Sequence, residues 1–251
     1  MTRIILHGCH GAMGRVISDL VREDDSFTIV AGIDISGEDA PDYPVYTSCD
    51  DCAEDADAII DFSVAPAVDA VIAFAVRRSL PLVLCTTGLS EAQLQAVREA
   101  SAGVPVLRSA NMSLGVNTVF SLAAAAARIL ADKGYDIEII EKHHHRKMDA
   151  PSGTALAIAD AINEAMNGRY SYTLDRSGRR ARRDPDEIGI QAVRGGSIVG
   201  EHEVLFCGPD EVIEIRHTAY SRAIFGKGAL AAAAYLVGRE PGLYQMKDVI
   251  G

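Results

Sequence analysis

The sequence has no uninterrupted apolar run long enough to span a bilayer, and residues 1–14 lack the charged and apolar regions of a secretory signal. A soluble, cytoplasmic protein is expected. Cysteine is sparse and odd in number: Cys9, Cys49, Cys52, Cys85 and Cys207 are scattered along the chain, which suits a reducing compartment better than a disulfide framework. Positive charge is short as well. With 24 Lys and Arg against 35 Asp and Glu, the formal net charge of -11 argues against a broad nucleic-acid-binding face. What is present is ordinary for a globular protein, 48% hydrophobic and 24% charged, and 251 residues exceed the usual single domain, so two domains or one large α/β unit are expected.

Residues 3–7 read as a β-strand. Gly8, Cys9, His10, Gly11, Ala12, Met13 and Gly14 follow it, and residues 15–21 are patterned as a helix. Strand, glycine-rich turn and helix form the setting in which a backbone approaches a pyrophosphate at a helix N-terminus. The spacing is G-x-x-G-x-x-G, not the strict G-x-G-x-x-G, and alone it is a weak signal. It gains weight from a second strand at 28–33 closed by Asp34, 20 residues past the last glycine, where a carboxylate accepts bonds from ribose hydroxyls. The competing reading, in which the glycines only tighten a turn and Asp34 only ends a strand, leaves that combination unexplained. Ile35, Ser36 and Gly37 follow with no arginine for a 2'-phosphate, so NADH is expected over NADPH.

Further strands at 58–63, 81–85 and 104–108 alternate with helices at 67–79 and 90–102, which predicts a doubly wound parallel sheet with ligands at the carboxyl ends of its strands. Those ends carry residues 8–14, Asp34, Phe62 and Ser63, Cys85, Thr86, Thr87 and Gly88, and Ser109, Ala110, Asn111 and Met112. Cys49 and Cys52 are spaced like a zinc half-site or redox pair, but no partner motif exists, and they read as incidental thiols of an acidic surface loop.

After an alanine-rich helix at 116–131 the pattern changes. Strands at 136–141, 189–206 and 211–219 lack intervening helices, with a helix at 154–166, so an α+β second domain with a mixed sheet is expected. An apolar helix at 226–237 then returns to the first domain. The arginines of 176–183 sit among acidic residues without aromatic interleaving, and read as a solvated loop.

The conspicuous stretch is 138–155. Lys142, His143, His144, His145, Arg146 and Lys147 are consecutive, and 149–154 read as a helix start whose free N–H groups attract a carboxylate or phosphate. Three readings compete. A metal site on His143, His145 and Asp149 would be opposed by adjacent cations. A purely structural basic loop is the second. The third is catalysis, with a histidine moving a proton near neutral pH and Lys147 pairing with a carboxylate or donating a proton.

The run from Glu141 to Ala155, with Lys147, Asp149 and the Ala-Pro-Ser-Gly-Thr-Ala element, resembles the signature of the 4-hydroxy-tetrahydrodipicolinate reductase (dihydrodipicolinate reductase) family of diaminopimelate and lysine biosynthesis. The resemblance extends to 8–15, 86–88, 110–117 and 194–202. It implies a Rossmann-like cofactor domain from 1–114 joined by 222–251, and a substrate-binding and tetramerisation domain at 115–221. A small cyclic dicarboxylate would be reduced with NADH or NADPH, without a metal, in a homotetramer that binds neither nucleic acid nor membrane. By position, His143 would be the general acid/base and Lys147 the proton donor, while His144, Gly153 and Thr154 would bind substrate carboxylates. Residues 8–14 would hold the pyrophosphate and Asp34 the ribose; Cys85, Thr86 and Thr87 with 109–112 would line the nicotinamide side. Cys85 stands where many members have glycine, Ile35 replaces an arginine common in members that accept NADPH, and His145 is extra to the signature. Two rivals remain: another two-domain reductase of a small amino or keto acid, and a nucleotide-sensing binding protein.

Overall fold

The computed structural model describes residues 1–38 and 40–251. In chain order the elements are β1 (Thr2–His7), α1 (Ala12–Arg22), β2 (Phe27–Ile33), β3 (Val45–Tyr46), β4 (Ala58–Asp61), α2 (Val68–Arg78), β5 (Leu82–Leu84), α3 (Glu91–Ala100), β6 (Pro105–Arg108), α4 (Leu114–Leu130), β7 (Asp136–His143), α5 (Gly153–Ala165), β8 (Ser171–Thr173), β9 (Glu187–Arg194), β10 (Gly200–Cys207), β11 (Val212–Ala219), α6 (Ala223–Leu236), β12 (Gly242–Tyr244) and α7 (Met246–Ile250). Two compact units result: Met1–Leu114 with Arg222–Gly251, and Gly115–Ser221.

The first unit is built on a seven-stranded sheet in the order β12-β6-β5-β4-β1-β2-β3, every pair parallel. Its strands are apolar on both faces because each face is covered, as parallel sheets require. Ile4, Leu6, Ile60, Val83 and Leu107 enter one core with Ile17 of α1 and Ala229, Leu230 and Leu236 of α6. Their alternates Ile5, Ile59, Leu82, Leu84 and Val106 enter the other with Val71 and Phe74 of α2 and Val97 of α3. The strand order reverses at β1 and β4, which leaves their carboxyl ends as the switch point where such sheets bind ligands.

The second unit is a five-stranded sheet, β11-β10-β7-β9-β8, in which β7 and β8 run parallel to β9 while β10 runs antiparallel to β7 and β11. Along β7 every second residue is buried: Ile137, Ile139, Glu141 and His143. The first two pack with Ile188, Ile190, Val204 and Phe206 beneath Val119 and Ala123 of α4 and Ile158 and Ile162 of α5. The buried face therefore turns from apolar to ionisable at the carboxyl end of the strand.

Several expectations need correction. Residues 189–206 are two strands joined by a turn at 195–199, and β3, β8, β12 and α7 are too short to show a period. Cys49 and Cys52 are core residues, 6% and 3% exposed, and burial pushes both thiols up to about 11. The arginine segment is a loop, exposed over 177–182 as expected, but its Arg176, Arg179 and Arg183 form an ion-pair network. Arg183 donates from Nε to Glu138, from Nη1 to Asp136 and the Asp184 carbonyl, and from Nη2 to the Ile137 and Glu187 carbonyls, while Arg176 and Arg179 hold Glu138 and the buried Glu187. Residues 114–133 do form a helix of membrane-spanning length, with mean hydropathy 1.6, though its Val119, Ala123, Ala127 and Ala131 stripe lies in the core of the second unit.

Candidate active site

In the first unit the residues expected at the strand ends lie along the carboxyl edge of the parallel sheet, and those after β1 and β4 lie at the switch point. The 8–14 loop leaves β1 at Gly8, whose φ of 79° favours glycine, and a Cβ there would stand 2.5 Å from the Phe62 carbonyl oxygen. A Cβ on Gly14 would stand 2.3 Å from the carbonyl oxygens of Gly8 and Cys9, so the helix can begin this close to the strand only without side chains. Gly11 is the N-cap of α1 and no side chain caps it; Gly11 and Ala12 are exposed. Such a cradle fits a dinucleotide pyrophosphate, which would take the N–H groups of the first turn. Asp34 Oδ2 accepts the His10 backbone N–H at 3.1 Å and Oδ1 the Ser36 N–H at 3.3 Å, which joins the 8–14 loop to the end of β2. The His10 ring reaches the Glu38 carbonyl at 2.7 Å; that oxygen only accepts, so Nε2 carries the hydrogen.

The ends of β1, β4 and β5 are tied together by a residue that sequence reasoning passed over. Asp61 is fully buried and accepts from His7 Nδ1 (2.7 Å), from the Ser63 hydroxyl (2.6 Å) and from the Thr86 hydroxyl (2.6 Å), linking β1, β4 and β5. Cys85 is buried beside it, and burial together with Asp61 raises its thiol far above the usual range. Thr87 and Ala110 are exposed, Met112 is buried, and Ser109 closes a turn by accepting from Asn111 N–H and donating to its carbonyl. Burial, then Asp34, pushes the Cys9 thiol up to about 11.

In the second unit, His143 ends β7 and its Nδ1 meets Glu141 Oε2 at 2.6 Å. Arg194 of β9 binds both Glu141 oxygens, at 2.7 and 2.6 Å, and the Ser152 backbone N–H donates to Oε1 at 2.9 Å. Burial alone would raise the Glu141 pKa, but Arg194, His143 and Ser152 outweigh it and hold the carboxyl below its ordinary range. Ser152 also caps α5, accepting from Ala155 N–H, and its hydroxyl contacts His202 Nε2 at 3.1 Å. The rings of His202 and His143 meet edge-on with centroids 5.2 Å apart.

Lys147 pairs with Asp149 at 2.9 Å, and the Asp149 carboxylate also accepts the Gly153 N–H of the first turn of α5 at 3.3 Å. A carboxylate thus already bridges the two donors expected to meet a substrate anion, and Lys147 holds it below its usual pKa. His144 is half-buried, and its pKa is lowered by burial and by Arg146 and His143. His145 and Arg146 are exposed. Among the described residues no group of three or more His, Cys, Asp or Glu is arranged to hold a metal ion.

Glu141, Arg194 and His202 lie inside the signature stretches, but nothing assigned them roles. The sequence signal was present for Glu141: two residues before His143 on a strand, it must share the same face. Ending the strand at 141 obscured that relation.

Residues 2–112 match the family model described as dihydrodipicolinate reductase, N-terminus, and residues 115–250 match its C-terminus. The chain is 51% identical over 250 residues to a 4-hydroxy-tetrahydrodipicolinate reductase of Caldanaerobacter subterraneus subsp. tengcongensis, covering 100% of this chain and 98% of that one. It is 46% identical over 250 residues to the namesake protein of Clostridium novyi, with the same coverage. A solved dipicolinate-bound dihydrodipicolinate reductase from Paenisporosarcina sp. TG-14 shares the fold at TM-score 0.81 and 24% identity, covering 98% of this chain and 97% of that one.

Proposed function

The chain belongs to the dihydrodipicolinate reductase family and reduces 4-hydroxy-tetrahydrodipicolinate to tetrahydrodipicolinate, and from that premise we propose how its residues divide the work. A nicotinamide cofactor, when bound, supplies the hydride. The net reaction then takes up one proton and releases one water, so the chain must furnish an acid beside the substrate. His143 is the general acid/base and exchanges the proton through Nε2. Lys147 is the proton donor that meets negative charge developing on the ring. His144, Thr154 and the Gly153 N–H hold the two substrate carboxylates, where the N-terminus of α5 adds partial positive charge. The observation that supports this assignment best is the convergence of His143, Lys147 and the first turn of α5 at the carboxyl end of β7.

On the first unit, Gly8, Cys9, His10, Gly11, Ala12, Met13 and Gly14 take the pyrophosphate, and Asp34 takes the adenosine ribose. Cys85, Thr86 and Thr87 with Ser109, Ala110, Asn111 and Met112 border the nicotinamide. The first unit is thus the cofactor domain and the second the substrate domain.

His143→Ala and Lys147→Ala are each expected to lower kcat by roughly 10²-fold, the scale of a lost positioned proton donor. NADH oxidation with aldolase-generated substrate measures this, with pyridine-2,6-dicarboxylate as a competing dianion. Near-wild-type turnover in both variants would overturn the assignment; tight NADH binding without any turnover in the wild type would mark a sensor.

NADH is the preferred cofactor and NADPH the alternative. Asp34 presents a carboxylate at the end of β2, which opposes a 2'-phosphate, and the residue after it, Ile35, is 96% exposed and offers no charge to the phosphate. A larger kcat/KM with NADPH than with NADH contradicts this. The protein is cytoplasmic and assembles as a homotetramer through the second unit, so light scattering should return four times the chain mass of 26.7 kDa, and a monomer would refute the assembly.

A further inference from the structure

The carboxyl end of β7 holds more than a proton-transfer pair requires. Glu141 is fully buried, and each of its oxygens accepts two bonds: Oε1 from Arg194 Nη2 and the Ser152 N–H, Oε2 from Arg194 Nη1 and His143 Nδ1. An ionised carboxylate has no hydrogen to give, so Nδ1 must carry one. The remaining ring nitrogen, Nε2, is then the atom that can take or release a proton. A Cβ placed on Gly200 would stand 3.1 Å from that Nε2, and the glycine keeps the space beside it clear.

Arg194 matters for its sign. A buried carboxylate alone would hold a proton on the imidazole and leave a poor acid; a guanidinium bound to both oxygens offsets that pull while keeping the geometry. The same guanidinium donates from Nη2 to the Asp149 carbonyl at 2.6 Å, so the clamp also anchors the loop that carries Lys147.

We propose that Glu141, clamped by Arg194 and the Ser152 N–H, is a positioning residue that fixes His143 in the Nδ1–H tautomer and makes Nε2 its working atom. Arg194 sets how tightly that atom holds its proton. The inference rests on the reading of His143 as the general acid/base. The ionisable groups packed around the ring are Glu141 on β7, Arg194 on β9 and His202 on β10, with His217 of β11 in register beyond His202, and His144, Lys147 and Asp149 on the following loop. His202 is neutral near pH 7, its pKa lowered to about 4, so Glu141 and Arg194 are the charges that touch the ring or its immediate partner.

Two measurements test the proposal. The first is the tautomer of His143 in the wild-type protein, read from histidine ring 15N and 13C shifts with the His143 signals identified by their loss in His143→Gln. The Nδ1–H form is expected above the titration of the ring, although free imidazole favours the other, and an Nε2–H form in the wild type overturns the proposal. The second is a kinetic cycle. Glu141→Gln should lower kcat by roughly 10²-fold, in the range of lost supporting carboxylates, with little change in KM. In a His143→Ala background the same change should cost less than about twofold, because the residues act as a unit. Equal losses in both backgrounds mean a merely structural role and reject the proposal. Arg194→Gln should move the alkaline limb of kcat/KM, on which a proton-donating His143 loses its proton, to higher pH and Glu141→Gln to lower pH; shifts of the same sign also reject it. Where Arg194→Gln fails to fold, Arg194→Lys, which keeps charge without the two-pronged bond, should give a smaller upward shift. Full activity in His143→Ala would sink the acid/base reading alone, and the tautomer measurement would still report on the orientation.

Discussion

His202 packs edge-on against His143 and is 5% exposed, with Ser152 as its hydroxyl partner. Burial, then the neighbouring His143, lowers its pKa from 6.5 to about 4. The folded-state pKa therefore lies below the unfolded value, and the unfolded chain binds more protons between those two pH values. The stability that a neutral His202 contributes is fully present above about pH 6.5 and is lost as pH falls toward 4, by roughly 3 kcal/mol at the limit. A His202→Gln variant should lack this part of the acid limb. Urea unfolding at pH 7.5, 6 and 5 checks it, and an equal loss of stability with acid in both proteins contradicts the assignment.

At the scale of elements, the site depends on β7 changing character along its length. Its amino-terminal half is anchored by Ile137 and Ile139 in the core, and the same face then presents Glu141 and His143. Rigid packing at one end fixes the direction of the ionisable side chains at the other. The strand itself was legible in the sequence, because alternation marks it, but the basic run hid its last two residues, Lys142 and His143. The long helices and the βαβ alternation of the first unit were legible from their periodicity, and α3 starts at a Ser90–Gln93 capping box. Elements of two to five residues carry no period to read. The partners of the site were invisible for another reason. Arg194 lies 53 residues from Glu141, Thr86 lies 25 from Asp61, and Arg183 reaches residues up to 47 positions back. Such pairings follow from sheet order, which the local pattern of residues does not encode. The turn at 195–199 was missed although Gly195 and Gly196 announced it, because apolar strands on both sides masked the break.

At the scale of the whole molecule, the first unit is continuous in space and divided in sequence. α6 supplies Ala229, Leu230, Ala232, Ala233 and Leu236 to the core that holds Ile4, Leu6 and Ile60, and β12 pairs with β6 at the edge of the sheet. Removing these side chains with Met246 would forfeit on the order of 10 kcal/mol of burial, as much as the typical stability of a domain, ~5–15 kcal/mol. The second unit owns a separate core, drawn from residues between Val119 and Phe206. A chain ending at residue 221 should therefore lose NADH binding while its 115–221 segment keeps its amide protection. In the full chain, NADH should slow hydrogen exchange at β1, β4 and β5, whose carboxyl ends form the switch point, and pyridine-2,6-dicarboxylate should slow it at the start of α5. NADH affinity within about threefold of wild type in the shortened chain would show that α6 and β12 are dispensable to the cofactor unit. Protection by NADH confined to β7, β9 and β10 would reverse the assignment of cofactor and substrate to the two units.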